Sequence, residues 1–228
     1  YLDVPTAVDH FWIIEMPNTV DGYIYSTFMH KDRGGKLVFS PIWDRNLSFG
    51  NANYLNGDSP TGWMFEQVQG REVCQWFQRL FDDPDFRQQQ TDRWGELRCN
   101  LFATSNLLAR VDGYAALLNE AQARDFARWP RLGEYVWPNA SEDWPNTTYA
   151  GTVQYLKNFI TQRLKWIDRQ FVPAPVFGQE GGAVSPGFQL ILAGPTNRTR
   201  FYYTLDGGDP RRPGGAIDAL LTAAMQAV

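Results

Sequence analysis

The feature that most constrains this chain is a series of segments, from about Arg71 to Phe171, in which aromatic and leucine residues recur three and four positions apart. "REVCQWFQRLF", "RQQQTDRWGELRCNLF", "SNLLARVDGYAALLNEAQARDFARW" and "AGTVQYLKNFITQRLKWIDRQF" each carry an apolar stripe at helical period, which predicts helices sharing one core. Asp83 and Pro84 in "DDPDF" have the form of an N-cap followed by a first-turn proline. The opening "YLDVPTAVDHFWIIEM" repeats the pattern: Val4, Ala7, Val8, Phe11, Trp12, Ile14 and Glu15 fall at amphipathic spacing behind Asp3 and Pro5. A helix at the very start predicts further residues upstream. "PRLGEYVWPNASEDWPNTTY" interrupts the helices with Pro, Gly and Asn and predicts a long ordered loop.

Between the first helix and the later ones, "YIYSTFMHK" and "KLVFSPIW" are strand-like and flank the turn signature "DRGG", so a β-hairpin is expected. Near Val172 the composition shifts to proline, glycine and short apolar runs. "GFQLILAG" and "RTRFYYTLDGG" then predict strands of a small, partial β module over 172–228, ending in an Ala-rich tail that does not obviously continue it. The fold class expected is α+β.

Several function classes are set aside by bulk properties. A formal net charge of -4 lacks the positive excess that nucleic-acid binding uses. No window reaches the roughly 18 apolar residues of a membrane span. With only His10, His30, Cys74 and Cys99 available, no Cys/His metal spacing exists, and the two thiols allow one disulfide or none.

Chemistry is expected where the hairpin carries Asp21 just before its first strand and Asp44 just after its second. Phosphoryl transfer needs one carboxylate to orient the attacking hydroxyl and another to hold a divalent cation against the phosphates. Asn46 could add an oxygen ligand to Mg²⁺. A purely structural alternative stands beside this: Asp21 as an Asx-turn residue, and Asp44 paired to Arg45 or Arg33.

"EMPNTVDGYIYSTFMHKDRGGKLVFSPIWDRNLSFGNANY" resembles the core signature of the CotH family, the spore-coat-protein-H type of atypical protein kinase. In that family an Asn-x-x-Asp loop precedes a Pro-x-Trp-Asp-x-Asn-x-x-Phe-Gly segment. "FDDPDFRQQQTDRWGELR" resembles its helical continuation, so the likeness spans most of 1–171. The resemblance implies a C-lobe-like part of a kinase fold over 1–171, built of hairpin and helical subdomain. It further implies Asp21 as the catalytic-loop carboxylate, Asp44 as the metal-binding one, and Asn18 as the residue shaping the loop. ATP with Mg²⁺ or Mn²⁺, a protein acceptor offering a hydroxyl (serine foremost), and a bacterial extracellular, cell-surface or periplasmic setting follow from it.

Two departures accompany the resemblance. Ser26 and Thr27 stand where well-known members carry a His-Asn pair, and a hydroxyl is a weaker metal ligand than an amide carbonyl. The nucleotide-binding lobe would precede this segment, and "DRGGK" is too short to cradle phosphates, so the chain alone is expected to be inactive or nearly so. "FYYTLDGGDPR" resembles part of a chitobiase-type C-terminal β domain. Rival functions are a secreted adhesion or glycan-binding protein on a kinase-like scaffold, with Trp129, Trp137, Trp144 and Tyr149 as an aromatic platform, and transfer of a group other than phosphate.

Overall fold

A computed structural model describes residues 1–68, 75–140, 143, 145–196, 199–218 and 223–225, with 75, 76 and 223–225 described by backbone alone. Two compact units are present, Tyr1–Gln170 and Phe171–Val228. Among the described residues no helix is long and apolar enough to cross a membrane.

In the first unit, α1 (Val4–Glu15) starts where Asp3 accepts the Thr6 N–H and proline occupies the first turn. It is sheathed rather than one-sided: Ala7, Val8, Phe11, Trp12 and Ile14 are buried, and so are the polar His10 and Glu15. Trp12 lies 4.6 Å from Trp94 on α4 (Pro84–Cys99) and donates its indole N–H to the Gln90 carbonyl, so one side chain supplies both apolar contact and a satisfied polar group. α4 is capped by Asp83 with proline in its first turn. Its far end is tied to α7 (Tyr149–Asp168), where Asp168 accepts from Trp94 at 3.0 Å and from Arg98 at 2.9 Å and 3.1 Å. Phe159, Ile160, Leu164 and Ile167 are the buried apolar face of α7.

The remaining described helices of this unit are the short α2 (Met64–Gln67), α3 (Gln75–Phe81), α5 (Thr104–Leu117) and α6 (Asn119–Arg128). The long stretch read as one helix is thus two, broken at Leu118, and neither half has a fully buried side chain. Residues 130–148 contain no helix or strand among those described. Cys99 is exposed with a free thiol, whereas Cys74 and Trp144 lie outside the described residues.

The expected hairpin is much shorter than its alternating pattern implies. Only β1 (Met29–His30) and β2 (Val38–Phe39) pair, antiparallel, with Met29 opposite Phe39. The cause lies at Asp21, whose carbonyl accepts the N–H groups of Ile24, Tyr25 and Ser26 and winds the start of the expected first strand into a turn. In the second unit, β3 (Val176–Phe177) pairs with β4 (Leu192–Ala193), and β5 (Arg200–Tyr202) pairs with β6 (Ala223–Met225). The Ala-rich tail therefore does supply a strand.

His10 makes the first unit pH-sensitive. Its ring stacks on Phe39 at 4.9 Å, and its Nε2 lies 2.9 Å from Thr27 Oγ1. Because that hydroxyl donates to the Gly22 carbonyl, it accepts from the His10 Nε2–H. Burial, aided by the nearby Arg45 charge, lowers the pKa of His10 to about 4 from 6.5. The unfolded chain therefore takes up this proton first as the solution is acidified. Stability is fully present above 6.5 and drains away as pH falls towards 4, by about 3 kcal/mol in total at roughly 1.4 kcal/mol per unit. Urea unfolding at pH 7 and pH 5 checks this: His10→Gln should flatten the slope, and parallel curves for variant and wild type would refute it. The difference between the two proteins is the relevant quantity, since the raised pKa of Glu15 acts in the opposite sense.

Candidate active site

The chain leaves α1 through Met16 and Pro17 and immediately docks on a distant segment. Phe49 N–H donates to Pro17 O at 2.6 Å, Val20 N–H to Leu47 O at 3.2 Å, and the Thr19 and Ser48 hydroxyls meet at 2.8 Å. Residues 17–20 are thus fastened along 47–49, which brings Asp21 beside the segment that carries Asp44. Ser26 joins the two: its N–H donates to the Asp21 carbonyl at 3.0 Å and its hydroxyl to the Asp44 carbonyl at 3.2 Å.

Several local alternatives fail on this geometry. The Asp21 carboxylate does not close an Asx-turn; its Oδ1 accepts the Tyr54 hydroxyl at 3.1 Å. Asp44 is exposed, and among the described residues neither Arg45 nor Arg33 pairs with it. Asn18 is buried and its amide donates to the carbonyls of Asn56 at 2.9 Å and Ser59 at 3.1 Å, so it anchors the 56–59 loop against the Asp21 turn. Asn46 is exposed, and its backbone carbonyl accepts from Asn51. The Ser26 and Thr27 hydroxyls are both spent on protein carbonyls, which makes them staples of the turn rather than free ligands.

Arg45 points inward. All three of its guanidinium nitrogens are buried without a hydrogen-bond partner, and burial lowers its pKa despite the neighbouring Tyr23 and Asp44. Such a group costs free energy that an apolar side chain of similar length would not. Arg45→Met is therefore expected to stabilise the chain by roughly 1–2 kcal/mol, read as a higher urea midpoint at unchanged m-value. A lower midpoint would show that the guanidinium has a partner in solution.

Backbone strain concentrates around the same place. Asn18, Asp44, Phe49, Leu55 and Asn56 all have positive φ, between 48° and 57°. Each such residue costs on the order of 1 kcal/mol, and clustering of this kind is a mark of functional sites. Gly50 is required by contact as well as by its φ of 87°: a Cβ there would meet Phe159 and the Tyr155 hydroxyl at 2.7 Å. That same hydroxyl donates to Gly50 O, so α7 clamps the Phe-Gly pair directly behind the Asp44 segment.

One residue of this region, Tyr54, escapes sequence reasoning about catalysis. Tyr54 bonds Asp21 and stacks on Trp137, with ring centroids 6.2 Å apart and planes 12° from parallel. Nothing in the "NANY" segment signals the bond, because it closes a separation of 33 residues.

Asp44, exposed and unpaired, and the Asn46 amide offer oxygen ligands alone, the chemistry that suits Mg²⁺ or Mn²⁺. Among the described residues no group of three or more His, Cys, Asp or Glu converges on a metal position. A sparse protein ligand set is what Mg²⁺ uses when substrate phosphates complete its shell. No curated protein and no solved structure gives a significant match. A family model described as CotH kinase protein matches residues 1–167, stopping short of the β unit. With the Asn18-to-Asp21 turn fastened against the Trp-Asp-x-Asn-x-x-Phe-Gly segment inside that span, the chain belongs to the CotH kinase family.

Proposed function

We propose that this chain bears the carboxylates of an ATP-dependent protein kinase that phosphorylates a hydroxyl, serine foremost, on an acceptor protein at the bacterial cell surface or beyond it. The observation that carries this reading is the tethering of Asp21 and Asp44 through Ser26, with Asp44 left exposed and in no ion pair among the described residues. Asp21 accepts the acceptor hydroxyl proton while the acceptor oxygen bonds to the γ-phosphorus and the bond to the β–γ bridging oxygen breaks, releasing ADP. Asp44 and Asn46 would hold the divalent cation, which when bound neutralises charge on the phosphates.

This chemistry also needs a covering lobe with a phosphate loop and a Lys–Glu pair. Among the described residues no Lys–Glu ion pair is present, and the chain by itself is proposed to be inactive or nearly so. The test is run on the complete gene product, supplied with Mg²⁺ and ATP radiolabelled in its γ-phosphoryl group. Label on a serine or threonine of an acceptor, with an acceptor mass increased by one phosphate, supports the reading. An acceptor carrying a nucleotidyl or other mass, or no transfer at all, overturns it.

A further inference from the structure

We propose that Tyr54 is a positioning residue for Asp21, fixing one carboxylate oxygen so that the other alone is presented to the acceptor hydroxyl. The inference rests on the role proposed above for Asp21. Tyr54 donates its hydroxyl to Asp21 Oδ1 at 3.1 Å, and among the described residues the second oxygen accepts no hydrogen bond. An aspartate with neither oxygen held samples several rotamers, and a loss of alignment by about 1 Å can cost on the order of a hundredfold in rate.

Tyr54 is itself held from outside. Its ring lies flat against Trp137, which is 70% exposed. The preceding residue grips the same loop twice: Asn53 N–H donates to Pro138 O at 2.8 Å, and its side-chain amide donates to the Tyr135 hydroxyl at 2.5 Å. The 130–148 segment thereby acts on Asp21 through Tyr54, which gives that long loop a task that the helical core does not supply. Tyr54 also stays a donor throughout the working range, since burial and the adjacent Asp21 push its phenol up to about 12. It never becomes a second base competing for the acceptor proton.

The discriminating variant is Tyr54→Phe, which keeps the ring against Trp137 and removes the hydroxyl alone. It is assayed in the complete gene product with Mg²⁺, ATP and a pool of serine-containing peptides as acceptor. We expect kcat to fall about tenfold to a hundredfold, with KM for ATP and the thermal midpoint unchanged. Unchanged kcat, or kcat and thermal midpoint falling together, overturns the positioning role and leaves the proposed function standing. Carbon-13 NMR of labelled tyrosine supplies a readout free of activity: the Tyr54 phenol should titrate lower in Asp21→Asn than in wild type. An unmoved titration also overturns the inference. Complete lack of phosphate transfer by the wild-type protein overturns the kinase reading and the inference together, and a shifted phenol would then mark the contact as structural only.

Discussion

Arg163→Ala should cost about 3–5 kcal/mol, enough to leave a domain of ordinary stability barely folded. Arg163 sits on α7 with no solvent exposure, and neither does Glu15 at the end of α1 have any. Its Nε and one terminal nitrogen donate to the Glu15 carbonyl at 3.1 Å and 2.7 Å, and its other terminal nitrogen to Gly62 O at 2.5 Å. Contact with the Glu15 carboxylate is longer, 3.4 Å. That carboxylate instead takes the N–H groups of Met64 and Phe65 and the Tyr23 hydroxyl, all within 2.9 Å. Burial raises the pKa of Glu15, opposed by these donors and by Arg163, and lowers that of Arg163 to about 10. The guanidinium is therefore above all the hydrogen-bond cap of the α1 terminus, and it lies 4.9 Å from the Trp166 ring and 5.9 Å from the Trp63 ring. Deleting it strands a buried carbonyl and a buried acid and leaves a cavity where the side chain lay. Urea unfolding measures the loss; a change below about 1 kcal/mol would show that the buried network is not formed. Since Glu15 lies only six residues before Asp21, a surviving fraction of Arg163→Ala should also show disturbed chemistry.

Asp44→Asn acts at the opposite extreme, on function with almost no effect on stability. The side chain is exposed and makes no hydrogen bond or ion pair among the described residues, so an isosteric amide removes only its longer-range attraction to Arg45. What it removes is the anionic oxygen proposed to hold a divalent cation, a contribution of several kcal/mol to a phosphoryl-transfer transition state. Metal-dependent ATP turnover by the complete gene product is therefore expected to drop about a thousandfold or more, with an unchanged thermal midpoint. Turnover at the wild-type level would remove Asp44 from the site. Isothermal titration of Mg²⁺ with ATP separates loss of binding from loss of the chemical step.

Local signals in the chain were readable wherever a short stretch sufficed to satisfy its own backbone. Asp3 with Pro5 and Asp83 with Pro84 open helices because a side-chain oxygen and a preset φ act within three residues. The apolar period of α7 likewise follows from its own twenty residues. The alternating "YIYSTFMHK" misled because period two describes a strand only if the backbone finds a partner. Here the Asp21 carbonyl captures three N–H groups first.

For the site, the residue types of Asp21 and Asp44 and the Trp-Asp-x-Asn-x-x-Phe-Gly spacing were legible by themselves, and they sufficed to point at the family. Their environment was not. Whether Ser26 would be a ligand or a staple, and that Tyr54 would grip Asp21, depended on contacts across 18 and 33 residues. The Arg163 anchor reaches across 148. Sequence determined the helices and the reactive groups, since propensity and chemistry are properties of the residues themselves. Only the tertiary structure decided which polar groups are spent on holding the fold and which are left free to act, because a buried donor takes whichever acceptor packing brings within about 3 Å.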